Sequence, residues 1–202
     1  MSDAGAAIEA LAGRLGSLAA RDVPLGPLTT YGAGGRAALL ATVDDADQLA
    51  AVARARRELA PDLPVLVVGL GSNLLVADEG FDGLAVVLGT GLAEVAIEGT
   101  TVRAGGRAKL PVVARRCAGA GLRGFEWAAG VPGSIGGAVR MNAGVPEAEM
   151  SDHLARVRVV DLASGEDGVV AAADLDLGYR RSSLRDDQVV VWAELDLVPG
   201  DG

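Results

Sequence analysis

Residues 129–144 read Ala129-Gly130-Val131-Pro132-Gly133-Ser134-Ile135-Gly136-Gly137-Ala138-Val139-Arg140-Met141-Asn142-Ala143-Gly144. Pro132 and Gly133 predict a turn. Ser134 carries the side chain of a helix N-cap, so a short helix should start near it. Gly136 and Gly137 then fall inside that helix, where each glycine costs on the order of 1 kcal/mol relative to alanine. Two such costs in succession point to close approach by a ligand or by another backbone, and packing against a strand is the less favoured alternative.

Upstream lies a second glycine-rich segment, Gly69-Leu70-Gly71-Ser72-Asn73. It follows the continuous apolar run Val65, Leu66, Val67 and Val68, which reads as a strand buried on both faces. Glycines there admit positive φ and let backbone amides approach a ligand, and Ser72 and Asn73 add hydroxyl and amide hydrogen bonds. Such a turn can hold a pyrophosphate with main-chain donors alone. The same residues also suit a tight connection between strands. The dinucleotide fingerprint is not met, because no third glycine opens a helix and residues 74–76 read as strand.

The rest of the chain punctuates itself. Residues 1–21 read as an Ala/Leu-rich helix and 23–27 as a Pro/Gly connector. Residues 37–43 read as a strand, and Asp44 or Asp45 can cap a helix with Leu49, Val52, Ala53 and Leu59 at helical spacing. Residues 84–88 complete a β-α-β unit. In the second half, 95–97 and 101–104 form a hairpin around Gly99, and 110–120 a helix ended by Gly121. Residues 157–161 and 189–197 alternate as strands do, with Val189, Val191, Ala193, Leu195 and Leu197 on one face. The expected organisation is α+β: an N-terminal helix (1–22), a first lobe (23–88) and a second lobe (89–202).

Composition narrows the chemistry. The 29 glycines in 202 residues are about twice the usual ~7%. A formal net charge of −9 argues against nonspecific nucleic-acid binding, which neutralises phosphates with Lys and Arg. An anionic ligand would need local donors: backbone amides, helix N-termini and a few placed arginines. Cys117 and His153 are the sole residues of their types, so no multi-cysteine or usual zinc site is expected. Cys117 reads as a small core residue and His153 as an exposed loop residue. No run nears the ~20 apolar residues of a membrane helix, and residues 1–21 lack a signal peptide's pattern, so a cytoplasmic location is expected.

Five motifs in order resemble one family, the UDP-N-acetylmuramate dehydrogenases (UDP-N-acetylenolpyruvoylglucosamine reductases). They are Leu28-Thr29-Thr30-Tyr31-Gly32-Ala33-Gly34-Gly35, then Gly69-Leu70-Gly71-Ser72-Asn73-Leu74-Leu75-Val76, then Gly80-Phe81-Asp82-Gly83. The fourth runs Gly124-Phe125-Glu126-Trp127-Ala128-Ala129-Gly130-Val131-Pro132-Gly133 with its continuation through Gly144, and the last is Gly178-Tyr179-Arg180-Arg181-Ser182. The resemblance covers roughly residues 23–198. It implies a two-lobed FAD-binding domain of the vanillyl-alcohol-oxidase (PCMH) type. It also implies a reaction of peptidoglycan precursor synthesis, in which NADPH reduces FAD and the flavin passes a hydride to the enolpyruvyl group of a UDP-sugar.

On the matching positions the resemblance implies cofactor contacts from Gly69, Gly71, Ser72, Asn73, Gly130, Val131, Pro132, Gly133, Ser134, Gly136, Gly137, Asn142, Ala143 and Gly144. Arg180 is the expected catalytic residue, since a fixed guanidinium stabilises the enolate-like charge built on the substrate carboxylate. Tyr179 and Ser182 are expected to orient it or reach substrate. Without the family match, 179–182 reads as an ordinary surface turn. The family carries a further C-terminal domain with a protonating serine and a glutamate that this sequence, ending at Gly202, does not match. The expectation is therefore a fragment or a shortened relative, and a non-enzymatic FAD- or nucleotide-binding module is the competing reading. Another FAD enzyme of the same fold is a further rival. After Gly144 the family often has an aromatic and a further glycine; Val145-Pro146-Glu147 stands here.

Overall fold

A computed structural model describes residues 3–200. Met1, Ser2, Asp201 and Gly202, at the ends of the expected N-terminal helix and C-terminal tail, lie outside the described residues. The chain folds as two units, each with its own sheet. The first holds Met1–Gly89, Val160–Asp167 and Asp186–Val189, and the second Thr90–Val159, Gly168–Arg185 and Val190–Gly202.

The first unit contains α1 (Asp3–Leu15), β1 (Ala19–Pro24), β2 (Arg36–Val43), α2 (Ala46–Leu59), β3 (Val65–Val68) and β4 (Phe81–Leu88). The expected helix over residues 1–21 stops at Leu15, and Gly16 follows at φ +54°. Residues 19–24 then pair antiparallel with β2, Ala19 opposite Ala41 and Pro24 opposite Arg36. As an edge strand, β1 tolerates Pro24 and shows little apolar alternation, which is why it reads poorly from sequence. Asp45 caps α2, its carboxylate accepting from the Gln48 amide at 2.7 Å.

The sheet order is β1-β2-β4-β3, with β2, β4 and β3 mutually parallel. Thus β3 is an edge strand and not a strand buried on both faces; Val65, Leu66 and Val67 are only half-buried and Val68 alone is enclosed. Because β3 and β4 are parallel neighbours, the chain must return along the sheet between them. Residues 69–80 make that return without helix or strand, so the strand expected at 74–76 is absent. Its backbone is bonded elsewhere: the Gly71 carbonyl accepts from Thr30 N (3.0 Å), and the Ala77 carbonyl from Gly35 N (2.9 Å) and Gly80 N (3.0 Å).

Two arginines of α2 hold the 160–167 segment. Arg56, 7% exposed, donates to the Leu63 carbonyl through Nε (3.3 Å) and Nη2 (3.0 Å) and to the Leu162 carbonyl through Nη1 (3.2 Å). Arg57 donates to the Ser164 carbonyl.

The second unit contains β5 (Val95–Glu98), β6 (Thr101–Gly105), α3 (Leu110–Gly119), β7 (Leu122–Arg123), α4 (Ile135–Arg140), β8 (Gly144–Val145), β9 (Ala148–Glu149), β13 (Val198–Pro199) and most of β10 (Leu154–Asp161), β11 (Asp167–Ala171) and β12 (Gln188–Asp196), whose residues 160–161, 167 and 188–189 fall in the first unit. The main sheet runs β11-β10-β12-β6-β5, and β7–β13 and β8–β9 are small pairs. Gly99 (φ +61°) turns the β5–β6 hairpin and Gly121 (φ +70°) follows α3, both as expected. One core joins Val102, Ala104, Val113, Phe125, Ile135, Val139, Met150 and Leu195. Cys117 belongs to it, and burial pushes its thiol up to about 11.

His153 is not on an exposed loop. It is half-buried in the turn just before β10, its carbonyl accepts from Asp196 N (2.9 Å), and its Nδ1 lies 3.0 Å from the Asp196 carbonyl oxygen. Along β12 the expected face is buried, but so are Val190 and Glu194 of the other face. Glu194 is enclosed by bridges from Arg103 (2.8 Å) and Arg156 (2.7 Å), and Arg103 stacks 4.6 Å from the Trp192 ring centroid. Among the described residues, no helix is long and apolar enough to cross a membrane.

Candidate FAD-binding segments and the arginine turn

In the first unit, residues 69–73 are folded by Gly71. Its φ is +64°, and a Cβ there would meet the Leu28 carbonyl and come within 2.7 Å of the Thr29 Cα. Only glycine fits both the conformation and the contact. With the Gly71 carbonyl tied to Thr30, the amides of Leu70, Gly71, Ser72 and Asn73 donate to no backbone carbonyl among the described residues. Ser72 is half-buried and Asn73 exposed, so this turn presents uncommitted donors.

In the second unit, Ser134 is buried and caps α4, with Gly137 N donating to Ser134 Oγ at 3.3 Å. The diglycine splits into two explanations. Gly136 answers to another backbone: its N donates to the Gly106 carbonyl (2.9 Å), and a Cβ would stand 3.2 Å from that oxygen. Gly137 is exposed, and a Cβ there would meet only Ser134 Oγ, at an ordinary 3.4 Å. No packing among the described residues of this unit requires glycine at 137. Gly130 and Pro132 are exposed, Val131, Gly133, Ala143 and Gly144 are half-buried, and Gly133 has φ +148°.

The structure brings 178–182 onto the far end of this segment. Gly178 and Arg181 close the turn with paired bonds of 3.1 and 3.0 Å. Arg180, at φ +56°, donates from Nη1 to the Asn142 carbonyl (3.3 Å) and from Nη2 to the Gly144 carbonyl (2.7 Å), and its guanidinium carbon lies 5.0 Å from the Tyr179 ring centroid. Ser182 Oγ donates to the Arg140 carbonyl at 2.8 Å. Tyr179 is 83% exposed. Asn142 is fully buried, its amide bonded to the Gly178 carbonyl (3.2 Å) and to Ser151 N (2.9 Å).

Two residues outside the sequence expectation join the site's surroundings. Arg107 Nη1 and Trp127 Nε1 are buried donors with no hydrogen-bond partner among the described residues. Arg107 stands between Gly106 and Ala108, whose carbonyls hold Gly136 N and Ile135 N. The Gly105-Gly106-Arg107 run was the available signal. Unspent donors around a glycine-rich segment suit an anionic, acceptor-rich ligand such as a dinucleotide.

A family model described as the FAD binding domain matches residues 37–167. The chain belongs to the FAD-binding domain family. It is 41% identical over 204 residues to the UDP-N-acetylenolpyruvoylglucosamine reductase of Acidiphilium cryptum (strain JF-5), an alignment covering 100% of this chain and 62% of that protein. The reductase of Parvibaculum lavamentivorans is 43% identical over 180 residues, covering 89% and 57% respectively. Among solved structures, the UDP-N-acetylenolpyruvylglucosamine reductase from Thermus caldophilus superposes with a TM-score of 0.76 at 35% identity, over 88% of this chain and 62% of that one. Phl p 4.0202, a glucose dehydrogenase, matches at 14% identity with a TM-score of 0.65, over 96% of this chain and 44% of that one, a likeness of fold.

The FAD-binding domain here is therefore of the α+β, vanillyl-alcohol-oxidase (PCMH) type, homologous to the FAD-binding part of the reductases. The chain spans about three fifths of the length of the curated relatives it matches.

Proposed function

We propose that this chain is the FAD-holding part of an NADPH-dependent reductase that acts on the enolpyruvyl group of a UDP-N-acetylglucosamine derivative in peptidoglycan precursor synthesis. The observation that carries the reading is Arg180, whose guanidinium is held by the carbonyls of Asn142 and Gly144 at the end of the glycine-rich segment. Three of its five N–H donors stay uncommitted to those two carbonyls.

Bound FAD supplies the hydride chemistry, drawing reducing equivalents from NADPH. The chain's own residues do the holding. Residues 69–73 offer main-chain amides, Ser72 and Asn73 to the phosphates; Gly130, Val131, Pro132, Gly133, Ser134, Gly136 and Gly137 shape a surface that a flat ring or pyrophosphate can approach closely. Arg180 stabilises negative charge gathering on the substrate carboxylate during addition to the double bond. A guanidinium already fixed by two carbonyls does so with little reorganisation. Tyr179, exposed beside Arg180, and Ser182, tied to Arg140, are the substrate-orienting residues.

The test uses the intact enzyme, assayed for enolpyruvyl-dependent NADPH oxidation. Arg180→Ala should keep its FAD, seen by the flavin's visible absorption, and lose ~2 kcal/mol or more of transition-state stabilisation, roughly 30-fold in kcat/KM. Unchanged turnover removes Arg180 from the chemistry. A wild-type protein that binds FAD but never consumes NADPH with this substrate is a binding module instead.

A further inference from the structure

Asn142 sits in the left-handed region at φ +40° and is 0% exposed. Its amide orientation is fixed by its partners. The Gly178 carbonyl can only accept, so Nδ2 faces it at 3.2 Å; Ser151 N can only donate, so Oδ1 faces it at 2.9 Å. The residue's own carbonyl takes a bond from Arg180. One residue thus grips the turn twice, by its side chain at Gly178 and by its main chain at Arg180. A carboxamide spent in this way is poorly placed to serve as a cofactor contact.

We infer that Asn142 is a positioning residue for Arg180: its side chain fixes the Gly178 end of the turn, so that the guanidinium rests on the Asn142 and Gly144 carbonyls with its other donors free. This rests on the reading of Arg180 as the charge-stabilising group. It accounts for the residue type. Asparagine tolerates left-handed φ and supplies a donor and an acceptor at once. Aspartate has no donor for Gly178, and glycine keeps the backbone but makes neither bond.

The experiment uses Asn142→Asp and Asn142→Gly, both compatible with positive φ. In the ¹⁵N-labelled chain, the Arg180 Nε–H should be ordered in the wild type and fall to an order parameter below ~0.6 in both variants. In the intact enzyme, flavin reduction by NADPH, normalised to bound FAD, should stay within about 2-fold. Reoxidation of the reduced flavin by the enolpyruvyl substrate should slow by ~10-fold or more at saturation, in kcat more than KM. Adding Asn142→Gly to Arg180→Ala should cost little more than Arg180→Ala alone, since both act through one group.

Arg180 equally ordered in the variants overturns the inference, as do losses that add independently. If both variants fail to fold, Asn142 is a structural keystone and the positioning role is refuted. A wild type without enolpyruvyl turnover defeats the functional reading, and the order parameter then decides on its own whether Asn142 positions Arg180.

Discussion

Gly136 and Gly137 are neighbours with opposite reasons for lacking a side chain. At 136 the Gly106 backbone occupies the space, and at 137 the side is open apart from Ser134 Oγ. This gives a prediction in which two measurements move in contrary directions. Gly137→Ala should stabilise the ligand-free chain by up to about 1 kcal/mol, because alanine is the better helix residue. If FAD passes against this backbone, as the proposed function requires, the added methyl should weaken FAD binding by ~10-fold or more. Urea denaturation and flavin titration read the two effects. Stabilisation with unchanged FAD affinity would show that residue 137 faces solvent and no ligand.

Three strands of the second unit are tied by one carboxylate. Glu194 on β12 accepts from Arg156 on β10 and Arg103 on β6, and these bonds, Arg156's first, hold its carboxyl below the usual carboxylate range. A depressed folded pKa means the stabilisation is complete above the unfolded value of ~4.3. As pH falls below that value, the unfolded glutamate protonates first, and the contribution is lost as pH passes the folded one. Glu194→Gln should therefore cost about 1–2 kcal/mol at pH 7, less than a fully buried pair because both arginines are half-exposed. The gap in urea midpoint between wild type and variant should narrow from pH 5 to pH 3, and a constant gap would show that the charge is not what binds the strands.

The same scale shows what could be read without a structure. Asp45, Ser134, Gly99 and Gly121 act on residues within a few positions, and each stands where its sequence signal put it. β1 needs β2 to become a strand, and β11, with its exposed Asp167 and Gly168, needs β10. Neither carries the information within itself. The apolar run Val65–Val68 misled for a related reason: hydrophobicity favours burial in general, while the strand's place at the sheet edge, which leaves it only half-covered, is set by its partners elsewhere in the chain.

At the scale of the whole molecule the glycine-rich segments belong to separate units, residues 69–73 to the first and 129–144 to the second. The family resemblance makes both expected FAD contacts, and Arg180 their expected neighbour in function, because the motifs keep a fixed order along the chain. The Arg180–Asn142 contact, with partners 38 positions apart, was beyond that reading, as no local pattern links them. Ligand linkage tests the molecule as a unit. A ligand bound only by the native chain stabilises it by about 2.7 kcal/mol at 100 times its Kd, and for a chain of this length each kcal/mol raises Tm by ~2–4 °C. Saturating FAD should thus raise Tm by roughly 5–10 °C. FMN, which lacks the adenylate half, should do less, since it forgoes part of the phosphate contacts proposed for these amides. Hydrogen exchange should slow in both segments with FAD present. Protection confined to residues 129–144 would leave the Gly71 turn as a structural connection between β3 and β4, and an unchanged Tm at high FAD would count against cofactor binding by this chain altogether.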